Sequence, residues 1–449
     1  MSKALAPESS NVLQCTAKRR TFADANKKSQ YRGQAMLYHA YEYTHAALGP
    51  MRQAARMGQQ MLSSPFNPMS TSYQARASAA ACEMFINATR RYAKPEFGIK
   101  TVVTDGKTLD VVEQIELELP FCNLLHFTKP DAPADQTPVL IVAPMSGHYA
   151  TLLRGTVTQM LPDHDVYITD WVDARDVPVT AGDFDLDDYT DYVMELCRYL
   201  ARKTGERPAV LAVCQPGVPV LAAASLMAED NDAARPASVT LMGSPIDTSR
   251  NPKQPNDLAT GRPLSWFENN VIVTVPFPNQ GFMRRVYPGF LQLSGFMSMN
   301  MDRHVDAHVR QFRNLIKGDG DSTAQHQTFY DEYNAVMDLT AEFYLQTIER
   351  VFQKRSLAIG EYMYRDRLVQ PAAITDIAIM TIEGEKDDIT GLGQTEAAHD
   401  LASNLPDEKR VHYVQEKVGH YGVFNGSRWR NFIQPKVAEF MQAQRAPHA

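Results

Sequence analysis

The chain has 449 residues, 44% of them hydrophobic and 22% charged, and a net charge of −7. This length implies several domains or one core with large insertions, and the acidic balance argues against a nucleic-acid partner. No apolar run marks a membrane span or a signal core, and the five cysteines (Cys15, Cys82, Cys122, Cys197, Cys214) form no CxxC pair, which fits a reducing compartment and calls for no metal or cofactor.

Residues 1–34 are polar and aperiodic, so a disordered extension is expected. Residues 35–96 read as an N-terminal helical segment. Apolar residues recur there at helical spacing, Gly49-Pro50 divides the first run into two helices, and SYQARASAAACEMFINATRRYA supplies another. From Phe97 the residues alternate and are β-branched, with Asp105-Gly106 as a hairpin signal. The runs PVLIVAP, DVYITDW, AVLAVC, SVTLMG and IAIMTIEG are continuously apolar, as strands buried on both faces of a parallel sheet must be. RVHYVQE alternates and suits an edge. The sheet core is therefore expected over 97–247 and 372–449. The intervening stretch has no strand texture and reads as a cap insertion over 248–371.

Cys214 stands where AVLAV ends and a helical stretch begins. Ala212-Val213-Cys214-Gln215-Pro216 approximates the pattern small, any, nucleophile, any, small, in which a strand and a helix meet at a tight turn. Pro216 is not glycine, but it is compact and falls in the first helical turn, where its missing N–H costs nothing. The positive end of the helix favours thiolate. A cysteine at a strand end is as readily a small buried apolar residue, so its partners decide. An α/β-hydrolase orders its triad as nucleophile, then acid, then histidine near the C-terminus. IAIMTIEGEKDDIT offers Asp387 or Asp388, and VQEKVGHYGVFNGSRWR offers His420. Asp387, three residues after the turn glycine, is the chosen acid, with Asp388 left to bond the loop backbone. His420 takes the thiol proton or holds it in an ion pair, and Asp387 fixes its tautomer. The Gln215 N–H supplies one oxyanion donor. The loop APMSGHYATLLRG supplies the other, from Met145 first and Ser146 next. His148 in that loop reads either as lining the mouth or as a surface histidine capping the next helix.

AVCQPGVPVLAAA, IEGEKDDITGLGQT and GHYGVFNGSRWR resemble the intracellular polyhydroxybutyrate depolymerases of bacteria, which are cysteine-type α/β-hydrolases. The likeness runs from about Ala35 to about Phe440, and the block holding His420 and Trp429 is its most specific part. It implies Cys214 as nucleophile, Asp387 as acid and His420 as base. It also implies a cytoplasmic enzyme attached to polyester granules that releases 3-hydroxybutyrate or short oligomers. Polyhydroxyalkanoate synthases share the chemistry, but they carry glycines around the cysteine where this chain has Ala212 and Pro216, and they are longer. Thiolysis by CoA is a further reading. A granule-coating protein without turnover is another, but it has no need of three residues in catalytic order. In the cap, Met283, Met297, Met299 and Met301 stand with Phe282, Tyr287, Phe290 and Phe296. They form a surface suited to a flexible polyester, or they pack the cap on the core. Ser146, His148, Met297 and Met299 are the substrate-facing candidates. The polymer is the expected partner, and a homodimer is the assembly left open.

Overall fold

Continuous apolar runs offer water no face, and the structure covers them on both sides. The computed structural model describes residues 37–445, with residue 134 excepted. The extension expected over 1–34, with Cys15, lies outside the described residues. Eight strands form the central sheet: β1 (Val112–Leu119), β2 (Cys122–Thr128), β3 (Thr137–Val142), β4 (His164–Trp171), β5 (Ala209–Val213), β6 (Ser238–Met242), β7 (Ala378–Gly384) and β8 (Arg410–Gln415). Their order is β8-β7-β6-β5-β3-β4-β2-β1. The strands β3 to β8 run parallel, and β2 is antiparallel to both β1 and β4. Every residue of β3, β5, β6 and β7 is buried, whereas β8 closes one edge and is mostly uncovered. This is the α/β-hydrolase fold.

N-terminal to the sheet, a helix over 37–47 is followed by α1 (Gly49–Ser63) and α2 (Tyr73–Thr89). Pro50 falls in the first turn of α1, where it lacks no bond it could have made. The Ser72 hydroxyl accepts the Ala75 N–H at 3.2 Å and starts α2. The hairpin Thr101–Thr104 with Lys107–Asp110 turns on Asp105 and Gly106, at φ 51° and 74°, the left-handed pair that a two-residue turn of this hand requires.

In the sheet core, α3 (Leu186–Thr204) opens with a capping box on Asp185. The next helix, α4 (Gly217–Glu229), is buried nearly all round, as a helix under a sheet centre must be.

Between β6 and β7 the chain builds the cap, chiefly α5 (Gly289–Met299), α6 (Met301–Lys317) and α7 (Gly320–Asn334). It also holds a three-stranded sheet of Val273–Thr274, Arg285–Tyr287 and Leu339–Thr340, where the sequence carries no strand texture. Strands of two or three residues are too short to show a period. The N-terminal helices lie against this cap, with α2 on α6. Tyr38 donates from the first helix to Asp338 Oδ2 at 2.8 Å, and the Gly289 N–H reaches Asp338 Oδ1 at 2.8 Å. Burial, with the nearby Asp173 charge, pushes the Asp338 carboxyl up to about 7.

Candidate active site

β5 delivers Cys214 to the centre of the sheet's C-terminal edge. Its φ is 68°, a left-handed conformation that costs a non-glycine residue on the order of 1–3 kcal/mol and persists only where its surroundings hold it. They do so here: the Cys214 N–H donates to Met242 O at 2.7 Å, and its carbonyl accepts the Gly217 N–H at 3.2 Å. Pro216 is the N-cap of α4, one residue ahead of the helix. The close approach that the sequence pattern puts at Pro216 falls instead at Gly217, where an added Cβ would stand 2.3 Å from Ser244 Cβ. Cys214 is half-buried, whereas Cys122 and Cys197 are buried. Burial pushes the Cys197 thiol up to about 12 and the Cys122 thiol well above its ordinary value, so both are held protonated.

The acid and the histidine come from the loops after β7 and β8. Those loops touch at Gly384, where an added Cβ would lie 2.7 Å from Val418 O, and the Lys386 N–H bonds that same carbonyl at 2.8 Å. His420 Nδ1 donates to Asp387 Oδ2 at 2.8 Å, and both side chains are buried. Asp387 Oδ1 accepts the N–H groups of Ile389 and Thr390, each at 2.8 Å. Asp388 is exposed and accepts from Asn300 of the cap at 3.4 Å. Asp387 itself therefore takes the loop-backbone bonds that the sequence reading leaves to Asp388. Gly243 makes room for the pair: its φ is 55°, and an added Cβ would stand 3.2 Å from His420 Cε1.

Burial opposes a charge on His420. The Asp387 carboxylate, the Cys214 sulfur and the hydrogen bonds to both outweigh it and raise the imidazole pKa well above its ordinary value. Stability contributed by protonated His420 is fully present below its unfolded value and is lost as pH rises through the elevated folded one. The stability gap between wild type and Asp387→Asn, read by urea titration, is therefore widest below about pH 6 and narrows in alkali. A gap that does not change with pH contradicts this.

The loop after β3 holds Met145, Ser146 and His148. Met145 is buried, and its N–H donates to Gln215 Oε1 at 3.2 Å, a side-chain contact that the sequence does not signal. Ser146 is half-buried beside it. His148 is buried, not at an open mouth: its Nε2 donates to Tyr333 O at 3.0 Å, and burial pushes its pKa down to about 4, so it is neutral. The Met337 N–H donates to Gly147 O at 2.7 Å. An added Cβ at Gly147, where φ is 109°, would stand 2.4 Å from Gln292 Oε1. The cap thus clamps this loop. Met297 and Met299 are half-buried on α5, and Met297 faces a cavity between the cap and the N-terminal helices. Met283 and Met301 are exposed.

The described residues hold no cluster with metal-ligand geometry and no helix long and apolar enough to cross a membrane. A thiol on a strained strand-to-helix turn, a hydrogen-bonded histidine–carboxylate pair and an adjacent buried N–H are an arrangement that can serve acyl transfer. Residues 243–445 match the family model described as "PHB de-polymerase C-terminus", which supports an esterase or depolymerase role. No curated protein matches the chain. Among solved structures, a thermophilic esterase from Thermogutta terrifontis is 14% identical, with 78% of this chain and 98% of that one covered and a TM-score of 0.38. Naproxen esterase from Bacillus subtilis is 11% identical, with 82% and 98% covered and a TM-score of 0.39. A monoacylglycerol lipase from Paleococcus ferrophilus is 11% identical, with 69% and 96% covered and a TM-score of 0.39. These likenesses carry no functional argument, and the fold rests on the strand order.

Proposed function

We propose that the chain hydrolyses polyhydroxybutyrate, a polyester of 3-hydroxybutyrate, through a thioester on Cys214. The observation that carries this reading is Cys214 on its left-handed turn beside the His420–Asp387 pair, within a chain whose C-terminal part matches a polyhydroxybutyrate depolymerase family model. The Cys214 thiolate attacks an ester carbonyl, and the N–H groups of Met145 and Gln215 receive the oxyanion once the Gln215 side chain leaves Met145. His420 protonates the departing alkoxide, which becomes a hydroxyl chain end. His420 then takes a proton from water, the hydroxide attacks the thioester, and the thiolate leaves a free carboxylic acid. Asp387 holds the Nδ1–H tautomer throughout.

The test is incubation with amorphous polyhydroxybutyrate, with and without CoA, and product identification by mass. Free 3-hydroxy acids are expected in both. Acyl-CoA alone would replace hydrolysis by thiolysis, and no product would sink the enzyme reading.

Granule attachment belongs to the same proposal. Large apolar side chains stand out into solvent on and after α1: Met57, Met61 at 71% exposure, Phe66 at 94%, and Met69. Such a patch, rich in adaptable methionine, suits contact with an apolar polyester surface. At about 25 cal/mol per Å2 of apolar area, Met57→Gln, Met61→Gln and Phe66→Gln together weaken granule binding by at least about tenfold. Soluble-ester turnover stays as in wild type. Co-sedimentation with granules checks this, and undiminished binding moves the contact elsewhere.

A further inference from the structure

A cavity of about 1020 Å3 lies between α2 and the cap helices α5, α6 and α7, apart from Cys214. Four residues that line it carry five buried side-chain polar atoms with no hydrogen-bond partner among the described residues: Arg90 Nε, His308 Nδ1, His326 Nε2, and Nε2 and Oε1 of Gln311. Gln311 is only 2% exposed, so bulk water does not satisfy its amide. Orphaned buried polar groups cost folding free energy, and native proteins keep few of them. The gathering of these residues around one cavity with walls of Phe85, Phe290, Leu293 and Met297 describes a ligand site, an apolar body with a few polar side chains that a ligand draws toward it.

We propose that this cavity is a subsite for the hydroxyl-bearing end of a 3-hydroxyacyl oligoester, an inference that rests on the polyester reading above. An oligoester offers carbonyl acceptors at regular spacing and one donor, its terminal hydroxyl. Arg90 Nε–H and the Gln311 NH2 can only donate, and they match ester carbonyls. Gln311 Oε1 can only accept, and it matches the hydroxyl. Burial pushes His326 down to about 4 and lowers His308, so both rings are neutral and can donate or accept. A polyphosphate fits poorly, because Arg90, Arg91 and Arg175 of the lining already pair with Asp331, Glu42 and Asp173. A series of ring contacts runs from the cavity wall to His420. Tyr330 on its wall is 6.2 Å from Tyr333, Tyr333 is 6.5 Å from Tyr421, and Tyr421 is 6.0 Å from His420.

The experiment titrates Cys214→Ala protein with the linear trimer of 3-hydroxybutyrate, followed by calorimetry. The free-hydroxyl trimer is compared with its O-acetylated form, in Gln311→Leu and Gln311→Met backgrounds. Two substitutions are used so that a folding failure of one leaves the other. The trimer is expected to bind, and acetylation or loss of the Gln311 amide each weakens it about tenfold, with no further loss when combined. The melting temperature of the Gln311 variants does not fall, since they remove unpaired polar atoms. Trimer binding that ignores both Gln311 and the hydroxyl overturns the subsite, as does no trimer binding. Polymer turnover separates the two readings. A protein that binds trimer through Gln311 yet leaves polymer intact loses the depolymerase reading and keeps the subsite. A depolymerase whose trimer binding ignores Gln311 loses only the subsite.

Discussion

Cys214→Ala abolishes ester turnover, with kcat falling on the order of 10⁴-fold or more, because the proposed thioester can then no longer form. Fold and melting temperature change little, since Cys214 is only half-buried and the loss is one sulfur atom. Cys214→Ser keeps at most a trace of activity, because a hydroxyl needs stronger base help than a thiol. Alkylation follows the same residue. Cys122 and Cys197 are buried with raised pKa values, so iodoacetamide inactivates the enzyme by labelling Cys214 ahead of both. Turnover by the alanine variant at the wild-type rate removes Cys214 as nucleophile.

The second large effect is at the carboxylate. Asp387→Asn lowers kcat by about 10⁴-fold with the fold intact. The geometry says why. The N–H groups of Ile389 and Thr390 point at Oδ1 and demand an oxygen there, so an asparagine turns its NH2 toward His420 Nδ1. The imidazole must then accept at Nδ1 and carry its proton on the other nitrogen, where it can no longer take one from Cys214 or water. Asp388→Asn, at an exposed side chain that among the described residues bonds Asn300 of the cap, changes kcat by no more than about twofold. The reverse order of effects means that Asp388 is the acid.

The strands were legible because burial on both faces permits nothing but continuous apolar residues, and β8 was legible as an edge because it alternates. The cap sheet was not, since strands of two or three residues have no period. Cys214, Asp387 and His420 are readable as an order because each follows a strand. The contacts that set their surroundings are not readable. Gln215 Oε1 and the Met145 N–H are 70 residues apart in sequence, and His148 and Tyr333 are 185 apart. Pro216 looks like the small residue of the turn, but the backbone that must clear Ser244 belongs to Gly217. Gln311 reads as an unremarkable polar residue on an amphipathic helix, and only packing shows that its amide is buried without a partner among the described residues.

The most direct measurement is mass mapping of protein quenched in acid during turnover of the 3-hydroxybutyrate trimer. A hydroxyacyl adduct is expected on the peptide carrying Cys214, released by hydroxylamine as a thioester is. Turnover with no adduct on Cys214, or an adduct stable to hydroxylamine on another residue, contradicts it.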